Sequence, residues 1–257
     1  MFQIDLSGKN ALVYGVANHR SIAWSIAKIL SDAGARIGLV YQNDRLREPV
    51  EQLSSELNDA LLFECDVTDD DQLVALHKDI SSQMGSLSIV VHSIAFADRN
   101  DLGGDFSNTG RDGFRMALEV SAFSLLPVTK YASELMTDGG SIIAMTFLAS
   151  ERVFPGYNVM GTAKAALENS VRQLSAEYGP RNIRINAISA GPVDTLSSRV
   201  ISGYRDMNKF HEARSTLGRS ITLEDVAGTA LYLATDLSSG VTGAVLPVDA
   251  GYSIMGI

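Results

Sequence analysis

The chain has 257 residues, a formal net charge of −9, an isoelectric point near 4.9 and one cysteine. With 46% hydrophobic residues it can bury one sizeable α/β core. The acidic balance without a basic stripe argues against a nucleic-acid partner, and Cys65 alone cannot form an internal disulfide or a cysteine-based metal cluster. No apolar run approaches the roughly 20 residues of a spanning helix, so no membrane partner and no metal are expected. The opening MFQIDLSGK lacks a basic patch followed by an apolar run, which predicts no secretory signal and a cytoplasmic location.

Short apolar runs bounded by turn formers occur at 10–16, 36–41, 60–65, 87–94, 140–145, 183–188 and 243–248, and read as strands buried on both faces. Amphipathic segments alternate with them at 21–33, 44–57, 69–84, 110–135, 157–179 and 222–235. Asp69 is a candidate cap for the third, and Thr222 followed by Glu224 and Asp225 for the last. Such alternation predicts an α/β, Rossmann-like doubly wound parallel sheet of about seven strands with helices on both faces, one domain over 1–257. The irregular stretch 195–219 falls where a doubly wound fold presents its ligand crevice.

The first strand runs into Gly15-Val-Ala-Asn-His-Arg-Ser21-Ile22, a glycine turn leading to a helix N-terminus that can face a pyrophosphate. It departs from G-x-G-x-x-G, with Ser21 in place of the later glycine; that hydroxyl can contact phosphate or simply cap the helix, and the two are compatible. At the tip of the second strand stands Gln42, whose amide can bond ribose hydroxyls, while Arg45 and Arg47 can tolerate a 2′-phosphate. NADH is therefore favoured only modestly over NADPH. Asp66, before Val67, would lie beside an adenine or serve as a turn or capping acid. The fourth strand ends His92-Ser93-Ile94, and His92 reads as packed scaffold rather than a base, since no nucleophilic serine pattern accompanies it.

The stretch GYNVMGTAK holds Tyr157 and Lys164 seven positions apart, almost two helical turns and roughly 10 Å of rise, so both face one way. Gly161 lies between them and would leave room for a flat ligand. An ammonium nearby would favour the ionised phenol and strengthen it as a donor to a developing oxyanion. On their own, the same residues also fit a surface tyrosine and a solvated lysine.

The blocks SERVFPGYNVMGTAKAALE and RINAISAGPVDTL, with the ending VDAGYSIMG and the earlier motifs in order, resemble the branch of the short-chain dehydrogenase/reductases that reduces enoyl-acyl-carrier-protein substrates, over nearly the full chain. The resemblance implies NADH contacts at Gly15, Ser21, Ile22, Gln42, Asp66, Val67, Ser93, Ile94, Lys164, Val193 and Thr195. It implies a catalytic Tyr157, a Lys164 that holds the nicotinamide ribose, and a backbone substrate contact at Ala97. Phe147, Met160, Tyr204 and Met207 are further substrate-side candidates; Tyr204, Met207 and Phe210 recur at spacing three and either cover an acyl chain or anchor the loop.

Two positions depart from the family pattern: Phe147 stands where a second tyrosine is usual, and Asp194 where a basic residue is usual. Arg199, Arg205, Lys209, Arg214 and Arg219 outnumber Asp206 and Glu212 around the loop, an excess suited to an acidic acyl carrier protein. A homotetramer follows from the resemblance, and the apolar end YSIMGI fits burial against a neighbour. The competing readings are a reductase of another enone or carbonyl and a nucleotide-binding relative without catalysis.

Overall fold

A computed structural model describes residues 4–195, 198 and 204–256, with the backbone alone described at Tyr204 and Arg205. Arg199 lies outside the described residues.

Seven parallel strands form one sheet in the order β3-β2-β1-β4-β5-β6-β7. They are β1 (Asn10–Tyr14), β2 (Arg36–Tyr41), β3 (Leu61–Glu64), β4 (Ile89–His92), β5 (Gly140–Thr146), β6 (Ile183–Ala190) and β7 (Val245–Val248). The central strands are apolar and buried on both faces, as their near-continuous hydrophobic runs require. The edge strands β3 and β7 are only partly covered, because each has a neighbour on one side alone.

Helices α1 (Ile22–Asp32), α2 (Arg47–Ser54) and α8 (Leu223–Ala234) cover one face through Trp24, Ile26, Leu30, Val50, Val226 and Leu233. The other face is covered by α3 (Asp70–Gln83), α5 (Leu125–Leu135) and α6 (Asn158–Tyr178) through Leu73, Ile80, Leu125, Val128, Leu167 and Val171. The chain order reverses between β1 and β4, so the crevice of this sheet opens at their carboxyl ends, where Tyr14 pairs with His92.

Both predicted caps form. The Asp69 carboxylate accepts from Asp71 N and Gln72 N, at 3.0 and 3.1 Å. Thr222 and Asp225 form a reciprocal box: Thr222 Oγ1 accepts from Asp225 N at 3.2 Å, and Asp225 Oδ2 from Thr222 N at 2.9 Å. Thr222→Ala should cost about 1 kcal/mol of unfolding free energy, read as a lower urea midpoint at unchanged slope. An unmoved midpoint would mean that the Thr222 N–Asp225 bond and the 2.6 Å pair of Arg219 with Asp225 hold this helix end without the hydroxyl.

The predicted helix over 110–135 is interrupted. It divides into α4 (Arg111–Leu118), a π-helical turn (Glu119–Phe123) and α5. Ser124 N reaches back five residues to Glu119 O at 3.0 Å, and the widened turn leaves Ser121 and Ser124 fully buried beneath the crevice. The stretch 195–219 also carries a short helix, α7 (Tyr204–Arg214).

Candidate functional site

At the β1–α1 turn Gly15 has φ +91°, and a Cβ there would collide with the carbonyl oxygen of Ser93 just past β4. Two strand ends thus approach with backbone against backbone, which only glycine permits. Ser21 occupies the N-cap position of α1 without capping it: its Oγ accepts from Ala17 N and Asn18 N, both at 3.1 Å. The hydroxyl shapes the turn instead. No acidic side chain lies in the first turn of α1, so its positive end, beginning at half-buried Ile22, is left for an external anion.

Gln42 and Asp66 come together at the ends of β2 and β3, with Gln42 Nε2 donating to Asp66 Oδ2 at 3.0 Å. Burial works to raise the Asp66 pKa, but hydrogen bonds from Thr68 N, Thr68 Oγ1 and Gln42 outweigh it and hold the carboxyl below the usual range. Val67 is buried in the face covered by α3. Ser93 and Ile94 follow β4 at the crevice, half-buried, and Ile94 packs on that same core. Beyond β6, Val193 packs against the opposite core, and Thr195 closes a tight turn with Ser198 through bonds of 2.9 and 3.0 Å. These residues form an arc along one sheet edge with features that suit a dinucleotide: a backbone cradle, an open helix start and a polar pair at the ends of β2 and β3.

Tyr157 immediately precedes α6 and is half-buried. Its ring stands edge-on to Phe147, centroids 5.1 Å apart, and among the described residues its hydroxyl has no hydrogen-bond partner. Asn158 follows with φ +36°, a strained position for a non-glycine, tied by Nδ2 to Gly103 O at 2.7 Å. Lys164 is only 4% exposed, and its Nζ donates to Met145 O at 2.8 Å. Burial lowers its pKa to about 8, with Glu168 acting the other way.

Two expectations change here. Burial raises the Tyr157 pKa rather than an ammonium lowering it, so the phenol stays protonated and serves as an O–H donor. Gly161 does not keep space for a ligand: a Cβ there would lie 2.7 Å from Ala149 O, so the missing side chain lets the turn after β5 seat against α6. That turn, Leu148–Ser150, directly follows Phe147 in the chain.

Among the residues expected on the substrate side, half-buried Tyr157 and Ala97 pack against a small apolar cluster of Met160, Val159 and Ala117. Phe147 also packs on Phe154 at 4.7 Å, and Phe154 neighbours Tyr252 at 6.4 Å, giving an aromatic wall. Met207 is half-buried on α7, whereas Phe210 is 48% exposed with the Arg214 guanidinium 4.0 Å over its ring. The side chain of Tyr204 lies outside the described residues. Arg219 is engaged by Asp225 through bonds of 2.6 and 3.0 Å, which removes it from the basic excess available to a carrier.

Sequence reasoning missed four buried polar residues. Ser121 Oγ accepts from Phe96 N at 3.0 Å and donates to Phe96 O at 3.1 Å, pinning the loop that carries Ala97. Ser124 Oγ donates to Val120 O at 2.6 Å, so His92 Nε2 must donate to it across 2.8 Å. Burial, and then Lys164, lower the His92 pKa to about 3, which keeps the ring neutral and fits its reading as scaffold. Glu168 and Thr146 complete the set, Thr146 Oγ1 donating to Glu168 Oε1 at 2.7 Å. The available signal was polar residues inside apolar runs, as in EVSAFSLL, and a glutamate four residues after the lysine.

Comparison with known proteins matches this geometry over the whole chain. The enoyl-acyl-carrier-protein reductase (NADH) of Nostoc sp. is 49% identical over 257 residues, covering 99% of this chain and 100% of the relative. The crystal structure of the Bacillus cereus enoyl-acyl carrier protein reductase with NADP+ and an indole naphthyridinone superimposes with a TM-score of 0.97 at 45% identity, covering 100% of both chains. An Anaplasma phagocytophilum enoyl-acyl-carrier-protein reductase in complex with NAD gives a TM-score of 0.96 at 40% identity, covering 100% of this chain and 98% of that one. A family model described as enoyl-(acyl carrier protein) reductase matches residues 15–253, and with these full-length relatives it establishes that the chain belongs to the enoyl-acyl-carrier-protein reductase family.

Proposed function

We propose that this chain reduces the trans-2 double bond of enoyl thioesters on acyl carrier protein with NADH, in fatty acid biosynthesis, using Tyr157 and Lys164 as its catalytic pair. Family membership and full-length similarity to NADH-dependent enzymes carry the activity. The observation that carries the residue roles is the buried end of β5, where Lys164 holds the Met145 carbonyl and Phe147 sets the edge of the Tyr157 ring.

The glycine cradle at Gly15, the uncapped start of α1 and the Gln42–Asp66 pair fit a dinucleotide. NADH bound there supplies the hydride that adds to the β-carbon of the enoyl thioester. The displaced electron pair passes to the thioester oxygen, and the protonated Tyr157 hydroxyl donates a hydrogen bond to that enolate. A proton taken up from solvent at the α-carbon then completes the reduction, so one NADH and one proton are consumed for each double bond. Lys164 adds positive potential and donors on the ribose side, and its burial makes that charge more effective than it would be in water. Phe147 walls the acyl side but has no hydroxyl, so the phenol it contacts, Tyr157, is the proposed donor.

Residues 1–257 are read as one reductase domain with 195–219 as the substrate-binding loop, acting in the cytoplasm as a homotetramer. Exposed Ile254 and Met255 support an apolar contact with a neighbouring copy, and among the described residues no helix is long and apolar enough to cross a membrane. Lys209 and Arg214 remain beside the loop as contacts for an acidic carrier.

The test is oxidation of NADH with a crotonyl thioester, followed by absorbance across pH. Turnover should be level on the acid side and fall as pH rises through about 8, where the Lys164 ammonium loses its proton. Tight NADH binding with no turnover of any enoyl thioester would support the non-catalytic reading.

A further inference from the structure

Lys164 and Glu168 are one turn apart on α6, and both are 4% exposed. Two consecutive residues at the end of β5 bind them: Met145 O accepts from Lys164 Nζ at 2.8 Å, and Thr146 Oγ1 donates to Glu168 Oε1 at 2.7 Å. The same strand end thus holds a buried cation through one residue and a buried carboxylate through the next. Carboxylates are almost never this buried unless something compensates their charge. We propose that Glu168 is a positioning residue for Lys164, a buried counter-charge held by Thr146 that keeps the lysine protonated over the working pH range of the enzyme.

Among the described residues, neither His92 nor Tyr157 supplies this. His92, on β4, is neutral through burial, and Tyr157 keeps its proton. Burial drives the lysine toward its neutral form, and Glu168 opposes that drive. Thr146 uses its hydroxyl hydrogen on the carboxylate and so fixes which way the charge points.

The inference rests on the assignment of Lys164 as catalytic, and the experiment separates the two. The pH dependence of kcat/KM for a crotonyl thioester with NADH is measured for the wild type, Glu168→Gln, Glu168→Asp and Lys164→Ala. In Glu168→Gln the descending limb should move to lower pH by about one unit, with activity returning toward wild type as the pH is lowered below the new midpoint. Glu168→Asp, which keeps the charge, should lie between.

Should Glu168→Gln fail to fold, Thr146→Val, which removes only the hydrogen bond to the carboxylate, should move the limb the same way by less. An unmoved limb with an equal loss at every pH overturns the proposal and leaves Glu168 a packing residue. Wild-type activity in Lys164→Ala would instead overturn the assignment of the lysine itself.

Discussion

Tyr157→Phe should lower kcat on a crotonyl thioester by about 10²–10³-fold while leaving the Kd for NADH within a few-fold of wild type. The change deletes one oxygen and keeps the ring, so the edge-on contact with Phe147 and the packing against Met160 survive. The hydroxyl makes no hydrogen bond within the described residues, so nothing in the resting fold depends on it. Burial keeps the phenol protonated, which makes it a donor at every working pH. Its loss is therefore felt where charge develops on the thioester oxygen, in kcat more than in cofactor affinity. Turnover within tenfold of wild type would remove Tyr157 from the reaction and shift attention to the ribose side.

Gly15→Ala should weaken NADH binding by at least about tenfold and lower the melting temperature, read by fluorescence titration and a thermal scan. A left-handed backbone costs a non-glycine residue roughly 1–2 kcal/mol before any contact is counted. Here the added methyl also meets the Ser93 carbonyl, a backbone atom that cannot rotate away. Relief requires the β1 turn and the end of β4 to part, and the crevice lies between them. The substitution thus converts local strain into displacement of the cradle. Wild-type affinity with wild-type stability would show that the approach can widen without cost.

The strands, the helix on each side of them and the two caps were legible because their signals are local. The apolar runs of β1, β2, β4, β5 and β6 need no partner to be recognised as doubly buried strands, and Asp69 and Thr222 act on backbone two or three residues away. The π turn at Glu119–Phe123 was not legible, since one extra residue in a helix leaves the amphipathic pattern nearly unchanged while turning Ser121 and Ser124 toward Phe96 and His92. Ser21 shows a subtler limit: its residue type and place announce a cap, yet its hydroxyl bonds to the loop before it.

By itself the sequence determined the parallel α/β sheet, because that rests on apolar periodicity within each element, whereas the cofactor motifs and the Tyr157–Lys164 pair were readable only through resemblance to a family. Only the tertiary structure decided the protonation states and the use of space. Desolvation depends on what the rest of the chain packs around a group, so Tyr157 is neutral, His92 is inert and Lys164 titrates near 8 for reasons located on β4, β5 and α6 together. Gly161 follows the same rule, its empty side-chain position claimed by the carbonyl of Ala149, a residue twelve positions earlier in the chain.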